Sequence, residues 1–307
     1  MSSITAFLFP GQGAQSVGMA ADAHASSPAA RAVFDEADSV LGIGLSGIIL
    51  RGPTEELVRS HIAQPAILCA SVALLRALQE RLGDAAPVPA FVAGHSLGEY
   101  SALVAAGSID LATGLRLVRR RGELMQVAAE ATPSGMAALI GLTYDVALAA
   151  CEGTGAQVAN ANSEQQVVIA GPTDALERAI EAAKAAGARR ALPLEVAGAF
   201  HTEVMRPGQE EMDRLFAETD FQPPSAPVIG NTTAKPLATA DEIRAELAGQ
   251  LCGCVFWQQS VEYMASNGVE RFVEIGPGNV LSGLAKRIAP GVETVAVGTL
   301  DALDALT

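Results

Sequence analysis

The sequence predicts an α/β fold, with a mostly parallel sheet flanked by helices and a small ferredoxin-like unit inserted into it. Three observations carry this. Short β-rich runs alternate with longer amphipathic segments over most of the chain. In the middle of the chain, between Ala129 and Gly198, the order switches to β-α-β-β-α-β. Half of the 307 residues are apolar and mean hydropathy is +0.29, which provides for a sizeable core. With only 4% aromatic residues, that core must be mostly aliphatic and alanine-rich.

Taken in order, Thr5 to Phe9 reads as a first strand, closed by Pro10 and a glycine-rich turn. A helix runs from Gln64 to Leu82 with apolar positions Ile67, Leu68, Leu74, Leu75 and Leu78. Ala90 to Ala93 is a buried-strand candidate ending at Gly94, followed by helices at Leu97 to Ala106 and Leu111 to Ala129. In the inserted unit, Met136 to Leu142 is a strand and Asp145 to Cys151 a helix. Two strands follow, Gln157 to Asn160 and Val167 to Ala170. A helix from Gly171-Pro172-Thr173 to Ala186 and a strand from Arg190 to Val196 complete the unit. The β/α pattern then resumes with helices at Thr202 to Ala217, Asp241 to Leu251 and Gln258 to Asn267. Strand Arg271 to Ile275, helix Val280 to Ile288 and strand Glu293 to Val297 close the chain. Residues 1–128 and 199–307 are thus expected to form the core, and 129–198 the subdomain.

Lys and Arg number 20 against 34 Asp and Glu, a net charge of −14. That field repels nucleic acid and anionic membrane surfaces and argues against a nucleic-acid binder. No apolar stretch reaches the roughly 18 residues that a membrane span needs, and Met1 to Phe9 lacks the basic residues of a signal peptide. Four cysteines are too few for a disulfide scaffold, and the lone Cys252-x-Cys254 pair is not a common zinc spacing. The expectation is a cytoplasmic protein with plain thiols and no metal. With no repeat or coiled coil, a monomer is the default.

The sharpest local signal is Gly94-His95-Ser96-Leu97-Gly98, a G-x-S-x-G. With 30 glycines in 307 residues, a random match somewhere has a probability of roughly 0.2, so the pattern alone is weak. Its setting lifts it: a strand precedes and a helix follows, as a nucleophile elbow requires. The Leu97 N–H would then face an acyl carbonyl oxygen, whereas the alternative is a serine that merely caps the helix. A nucleophilic serine needs a base. Among four histidines, His24 lies in a loop-like stretch, His61 just before a helix, and His95 beside Ser96 as a packing residue. His201 follows Ala197-Gly198-Ala199-Phe200, where the chain leaves the insertion and a cleft is expected. Alone it reads as a structural histidine; paired with Ser96 it reads as the base.

Two other segments stay open. The Gly11-Gln12-Gly13-Ala14-Gln15 turn fails as a dinucleotide fingerprint because Ser16 stands where the third glycine belongs. It either presents backbone N–H groups to an oxyanion or is a tight turn only. Arg119-Arg120-Arg121 lies on a helix, where successive residues are about 100° apart, so the three cannot face one way. One must turn toward the apolar side, where a guanidinium calls for a carboxylate, unless all three snorkel to the surface.

Together these residues resemble the malonyl-CoA:acyl-carrier-protein transacylases of fatty-acid synthesis and the related acyltransferase domains of polyketide synthases. The matching stretches are Phe9 to Gln15, Gly94 to Tyr100, Arg121-Gly122, Asn160 with Asn162 before Val167 to Gly171, Phe200-His201, Gln250-Leu251 and Glu274 to Gly278. The resemblance implies a hydrolase-like core with the ferredoxin-like insert, and a site between them. It implies that Ser96 is acylated, that His201 is its base, and that a main-chain carbonyl near Gln250 orients the histidine. It also implies oxyanion N–H groups from Gln12 and Leu97, a carboxylate-holding Arg121, and supporting roles for Asn160 and Asn162. No bound cofactor is implied; malonyl-CoA and the phosphopantetheine of an acyl carrier protein are substrates. Where many members have Asn-Pro after Gln-Leu, this chain has Cys252-Gly253-Cys254. Gly-Ala-Phe before His201 leans toward malonyl over methylmalonyl.

An acidic protein meeting an acidic carrier needs a local basic patch. Lys184, Arg189 and Arg190 on the insert and Lys286 and Arg287 on the core are the candidates. The rival readings are a free-standing acyltransferase serving a polyketide or malonate-decarboxylase system, a serine thioesterase, and a non-catalytic carrier-binding module. Against the thioesterase, α/β-hydrolases place their histidine near the C-terminus, whereas about a third of this chain follows His201.

Overall fold

The computed structural model describes residues 3–306. Strand β1 (Thr5–Phe9) is followed by four helices, α1 (Ala21–Ser26), α2 (Pro28–Leu41), α3 (Leu45–Arg51) and α4 (Thr54–Leu57). Then come α5 (Ser60–Leu82), β2 (Pro89–Gly94), α6 (Gly98–Ala105) and α7 (Leu111–Ala131). The next six elements are β3 (Ser134–Ile140), α8 (Tyr144–Cys151), β4 (Gln157–Ser163), β5 (Gln166–Pro172), α9 (Thr173–Ala185) and β6 (Arg190–Pro193). The chain continues with α10 (Arg206–Glu218), β7 (Val228–Ile229), β8 (Pro236–Leu237), α11 (Ala240–Gln250) and α12 (Trp257–Ser266). It closes with β9 (Arg271–Ile275), α13 (Val280–Ile288) and β10 (Glu293–Val297).

A six-stranded sheet runs β10-β9-β1-β2-β7-β8, parallel except for the final β7–β8 pair. All five residues of β1 are buried because helices cover both faces of a central parallel strand. The period of two divides them. Phe7 and Phe9 join the core under α2, α5 and α7, and Ala6 and Leu8 join the one under α12 and α13. A second, antiparallel sheet runs β4-β5-β3-β6, the ferredoxin-like order. One face packs on α8 and α9. The other brings Met136, Ala138, Val168 and Ala170 against Met125, Phe200, Met205 and Leu251. Strand β4 also bonds to the opposite unit: Ala161 N–H donates to Val255 O at 2.9 Å, and Val255 N–H to Ala159 O at 2.9 Å. Both contacts close the two units onto one crevice.

Several elements depart from the sequence reading. The expected strand over 190–196 stops at Pro193, with one further bond from Leu194 N–H to Met136 O at 3.0 Å beyond it at this exposed edge. The helix expected from Thr202 starts as a 3₁₀ turn over Glu203–Met205, capped by the Thr202 hydroxyl, and becomes α-helical at Arg206 with Pro207 in its first turn. His24 lies within α1 with its ring edge-on to Phe34, not in a loop, and His61 lies inside the first turn of α5. One helical stretch, Ser60–Ala85, is long and apolar enough by length and composition to cross a membrane, contrary to expectation. Its most apolar window is 89% buried within the fold, so it is the core helix on which α2 and α7 pack.

Candidate active site

The chain turns from β2 to α6 in three residues, and sterics dictate which residues can stand there. A Cβ on Gly94 would strike the carbonyl of Gly98, and a Cβ on Gly98 would strike Phe9 O. With both side chains deleted, the loop passes against β1 and Ser96 is forced into the left-handed region at φ 53°. Asn231 holds this strained residue. Its Oδ1 accepts the Ser96 N–H at 2.6 Å and its Nδ2 donates to Gly94 O at 2.7 Å. The Leu97 N–H, next in line at the start of α6, has no partner among the described residues, nor does the main-chain N–H of Gln12. The Gln12 side chain is fixed: Nε2 donates to Ser60 Oγ at 3.1 Å and Oε1 accepts from Gln64 at 3.3 Å.

Across the crevice, His201 is 4% exposed and also left-handed, at φ 60°. Its Nε2 lies 2.7 Å from Ser96 Oγ, a contact between residues 105 apart in sequence. Its Nδ1 lies 2.9 Å from the main-chain oxygen of Gln250. A carbonyl only accepts, so Nδ1 carries the proton and Nε2 presents a lone pair to the serine. Burial first, and the Arg121 charge second, push the imidazole down to about 3 from 6.5. The ring is therefore neutral at physiological pH, as a proton acceptor must be.

The three arginines separate as their helical spacing requires. Arg120 is exposed and pairs with Glu123 at 3.2 Å. Arg119 is half-buried, bonded to Glu123 at 2.9 Å and to His61 O at 3.0 Å. Arg121 turns inward and is 1% exposed. A Cβ on Gly122 would come within 2.6 Å of His61 Cα and 2.5 Å of Ser60 O. Its absence lets α7 lie backbone against backbone on α5 and seats Arg121 beside Gln64. The guanidinium donates to Gln64 Oε1 at 3.0 Å, Ser96 Oγ at 3.0 Å and Gln250 Oε1 at 3.1 Å. It lies 5.6 Å from the Tyr100 ring centroid, and Nε has no hydrogen-bond partner. Among the described residues, none forms an ion pair with it.

A cavity of about 680 Å³ opens over Ser96 and His201, with Gln12, His95, Met125, Asn160, Asn162 and Phe200 in its walls. The arrangement suits acyl transfer: an alcohol with a neutral base, free N–H donors at a helix start, and a buried cation behind. Among the described residues, no group of three or more His, Cys, Asp or Glu side chains could hold a metal.

The chain matches the acyl transferase domain family over residues 6–300. The chain belongs to that family. It is 48% identical over 300 residues to the malonyl CoA-acyl carrier protein transacylase of Escherichia coli K12, covering 96% of this chain and 95% of that one. The Bacillus subtilis protein of the same name is 41% identical over 309 residues, covering 99% and 96%. Among solved structures, an acyl carrier protein S-malonyltransferase from Vibrio cholerae superposes with a TM-score of 0.95 at 44% identity, covering 99% of this chain and 100% of that one. A malonyl-transacylase in complex with its type II polyketide-synthase acyl-carrier protein gives 0.95 at 42% identity, with 99% of each chain covered.

The protein is thus an acyltransferase with an α/β core and a ferredoxin-like insert, and three of its site residues escaped the sequence reading. Gln64 and Asn231 are neutral amides scattered in apolar or loop surroundings; the one signal is a glutamine just before Pro65 in an otherwise apolar stretch, and it is fully buried in α5. Glu99 lies in the matching stretch Gly94 to Tyr100 with no role implied for it, yet it is fully buried. His95 packs on Trp257, ring centroids 5.6 Å apart, and its Nε2 lies 2.9 Å from Asn162 Oδ1, tying the elbow to β4. The basic candidates divide. Arg189 and Arg287, both exposed, line a cleft of about 430 Å³ between insert and core. Arg190 and Lys286 are exposed outside its walls, and Lys184 pairs with Glu181 at 2.7 Å.

Proposed function

We propose that this acyltransferase moves a malonyl group from malonyl-CoA to the phosphopantetheine thiol of an acyl carrier protein through a malonyl-Ser96 intermediate. His201 Nε2 accepts the Ser96 proton as Oγ attacks the thioester carbonyl. The oxyanion is received by the N–H groups of Leu97 and Gln12, donors of a kind worth roughly 10²–10³ in rate each. Coenzyme A leaves with the proton from His201. In the second half the carrier thiol gives its proton to His201 and attacks the acyl-serine, and Ser96 departs protonated by the same ring.

The observation that carries the reading is Arg121, 1% exposed, without an ion-pair partner among the described residues and 3.0 Å from Ser96 Oγ. A guanidinium so placed favours an acyl group with its own carboxylate, and the free Nε offers a donor. The names of the Escherichia coli and Bacillus subtilis relatives support the same assignment. The carrier docks on the Arg189, Arg190, Lys286 and Arg287 side, because β4 runs from the catalytic cavity at Asn160 and Asn162 to the cleft at Ser163. Residues 1–128 and 199–307 act as the catalytic unit and 129–198 as the subdomain that closes the cleft. The enzyme works as a monomer in the cytoplasm.

Mass spectrometry after incubation with malonyl-, methylmalonyl- and acetyl-CoA tests this. The expected result is a malonyl adduct on Ser96 that a carrier thiol removes, and an Arg121→Ala variant that loses malonyl labelling while gaining relative acetyl labelling. No adduct, or an unchanged acyl preference in that variant, overturns the reading.

A further inference from the structure

Directly beneath the nucleophile lies a carboxyl group that the proposed mechanism does not use. Glu99, on the first turn of α6, is fully buried. Its Oε2 accepts from Gln250 Nε2 at 2.6 Å and its Oε1 has no hydrogen-bond partner among the described residues. It forms no ion pair with any described residue. The Gln250 amide stands between it and the nearby cation: Nε2 serves Glu99 and Ser96 O, at 3.1 Å, and Oε1 takes the Arg121 donor.

We propose that Glu99 is a positioning residue held as an uncharged carboxylic acid, which fixes the Gln250 amide while leaving Arg121 without an internal counter-ion. The inference rests on the reading of Arg121 as the carboxylate holder. Its physical basis is that an ionised carboxylate is acceptor-only, and one with an oxygen that is both buried and unpartnered forfeits most of its stabilisation. Burial raises the carboxyl well above the ordinary range, and Glu246, on α11, adds repulsion. The hydrogen bond from Gln250, the nearby Asn231 main chain and the charge of Arg121 act the other way. Tyr100, its neighbour on α6, is itself pushed up by burial and stays neutral. The two acids contrast in support: Glu246 receives the Thr232 N–H at 2.5 Å and the Thr233 hydroxyl at 2.9 Å, one donor to each oxygen.

The consequence is selectivity. An ionised Glu99 would screen Arg121 and repel an incoming carboxylate; a neutral one leaves the full positive field for the substrate. Glu99 is neither nucleophile nor proton carrier; it acts only through Gln250 and Arg121.

Infrared spectroscopy of the parent at neutral pH should reveal a protonated-carboxyl carbonyl band that disappears in Glu99→Gln. Should that variant not fold, the band must survive in Glu246→Gln and Glu274→Gln, which remove the other buried glutamates. Kinetics supply the second readout. Glu99→Ala should lower malonyl kcat/KM by about tenfold or more, and Glu99→Gln should rescue most of the loss while the malonyl-to-acetyl ratio stays within about threefold of the parent. A missing band, or a ratio that climbs about tenfold in Glu99→Gln because a repelling charge has gone, overturns the neutral acid. Parental kinetics in Glu99→Ala overturn the positioning role. A parent whose acyl preference does not change in Arg121→Ala defeats the underlying reading instead, and the infrared result stands apart from it.

Discussion

Acidification tests the base most directly. His201 is pushed from 6.5 down to about 3, by burial first and by the Arg121 charge second, against smaller opposing effects from hydrogen bonds to Gln250 and Gly253. That displacement is worth about 5 kcal/mol in favour of the neutral ring. On the proposal that the neutral ring is the base, kcat/KM for acyl transfer should stay flat as pH falls through 6.5, declining only below about 4. Replacing Arg121 by Met removes one depressing charge, so the acid limb of that variant, followed with acetyl-CoA, should move upward. Stability carries the same signature with a definite sign. The unfolded ring protonates near 6.5 and the folded one only near 3, so the unfolded state binds more protons between those values. Folding free energy therefore falls as pH drops through this window, by about 2 kcal/mol from this residue at pH of about 5. Urea unfolding of the parent and of His201→Gln at a series of pH values isolates that contribution. An acid limb centred near 6.5 in the parent, or identical pH slopes for the two proteins, would refute the account.

Other perturbations act on the supports of the site. Asn231→Leu leaves the Ser96 N–H and the Gly94 carbonyl buried without partners, a loss of about 2–5 kcal/mol by denaturant unfolding, together with a fall in Ser96 acylation; a change under about 0.5 kcal/mol would show that the elbow holds itself. Gly122→Ala pushes α7 off the start of α5 and carries Arg121 with it. Malonyl transfer should suffer at least tenfold more than acetyl transfer, and equal losses would mean that the close approach is structural only. Charge reversal at Arg189, Arg190, Lys286 and Arg287 together should raise the KM for the carrier by about tenfold or more without moving that for the thioester; an unchanged carrier KM places docking elsewhere.

How much was legible depended on how local each signal was. Strands β9 and β10 and helix α13 matched the expected residues one for one because their periodicity and flanking glycines or prolines are complete within a few residues. The ferredoxin-like order was readable for the same reason. The four helices over 21–57 were not, since three of them have seven residues or fewer and the fourth is bounded by devices such as the Ser27 cap on α2 and the left-handed Gly42 at its end. Strands β7 and β8, two residues each, exist only through their pairing. In the site, Ser96 announced itself by its glycines, whereas Asn231 and Gln64 act through bonds to residues 135 and 57 positions away, a kind of information no local pattern holds. The Arg triplet lay between these cases: helix geometry required that one turn inward, and Gly122 against α5 determined which.

Selectivity and catalysis in this site share one residue. Gln250 holds Arg121 through its side-chain oxygen, the Ser96 carbonyl and Glu99 through its nitrogen, and His201 through its main chain. After burial, the guanidinium it holds is the next largest influence that depresses the histidine. On the malonyl reading, a substrate carboxylate that reaches Arg121 offsets that charge, and the imidazole becomes a better proton acceptor only when such a substrate is bound. An acetyl group brings no such compensation and faces the weaker base. Discrimination should then appear in the rate of Ser96 acylation at saturating thioester as well as in affinity. Rapid-quench acylation with malonyl- and acetyl-CoA separates the two. A malonyl advantage confined to affinity, with equal saturating rates, would mean that Arg121 only anchors and that the base is indifferent to what it holds.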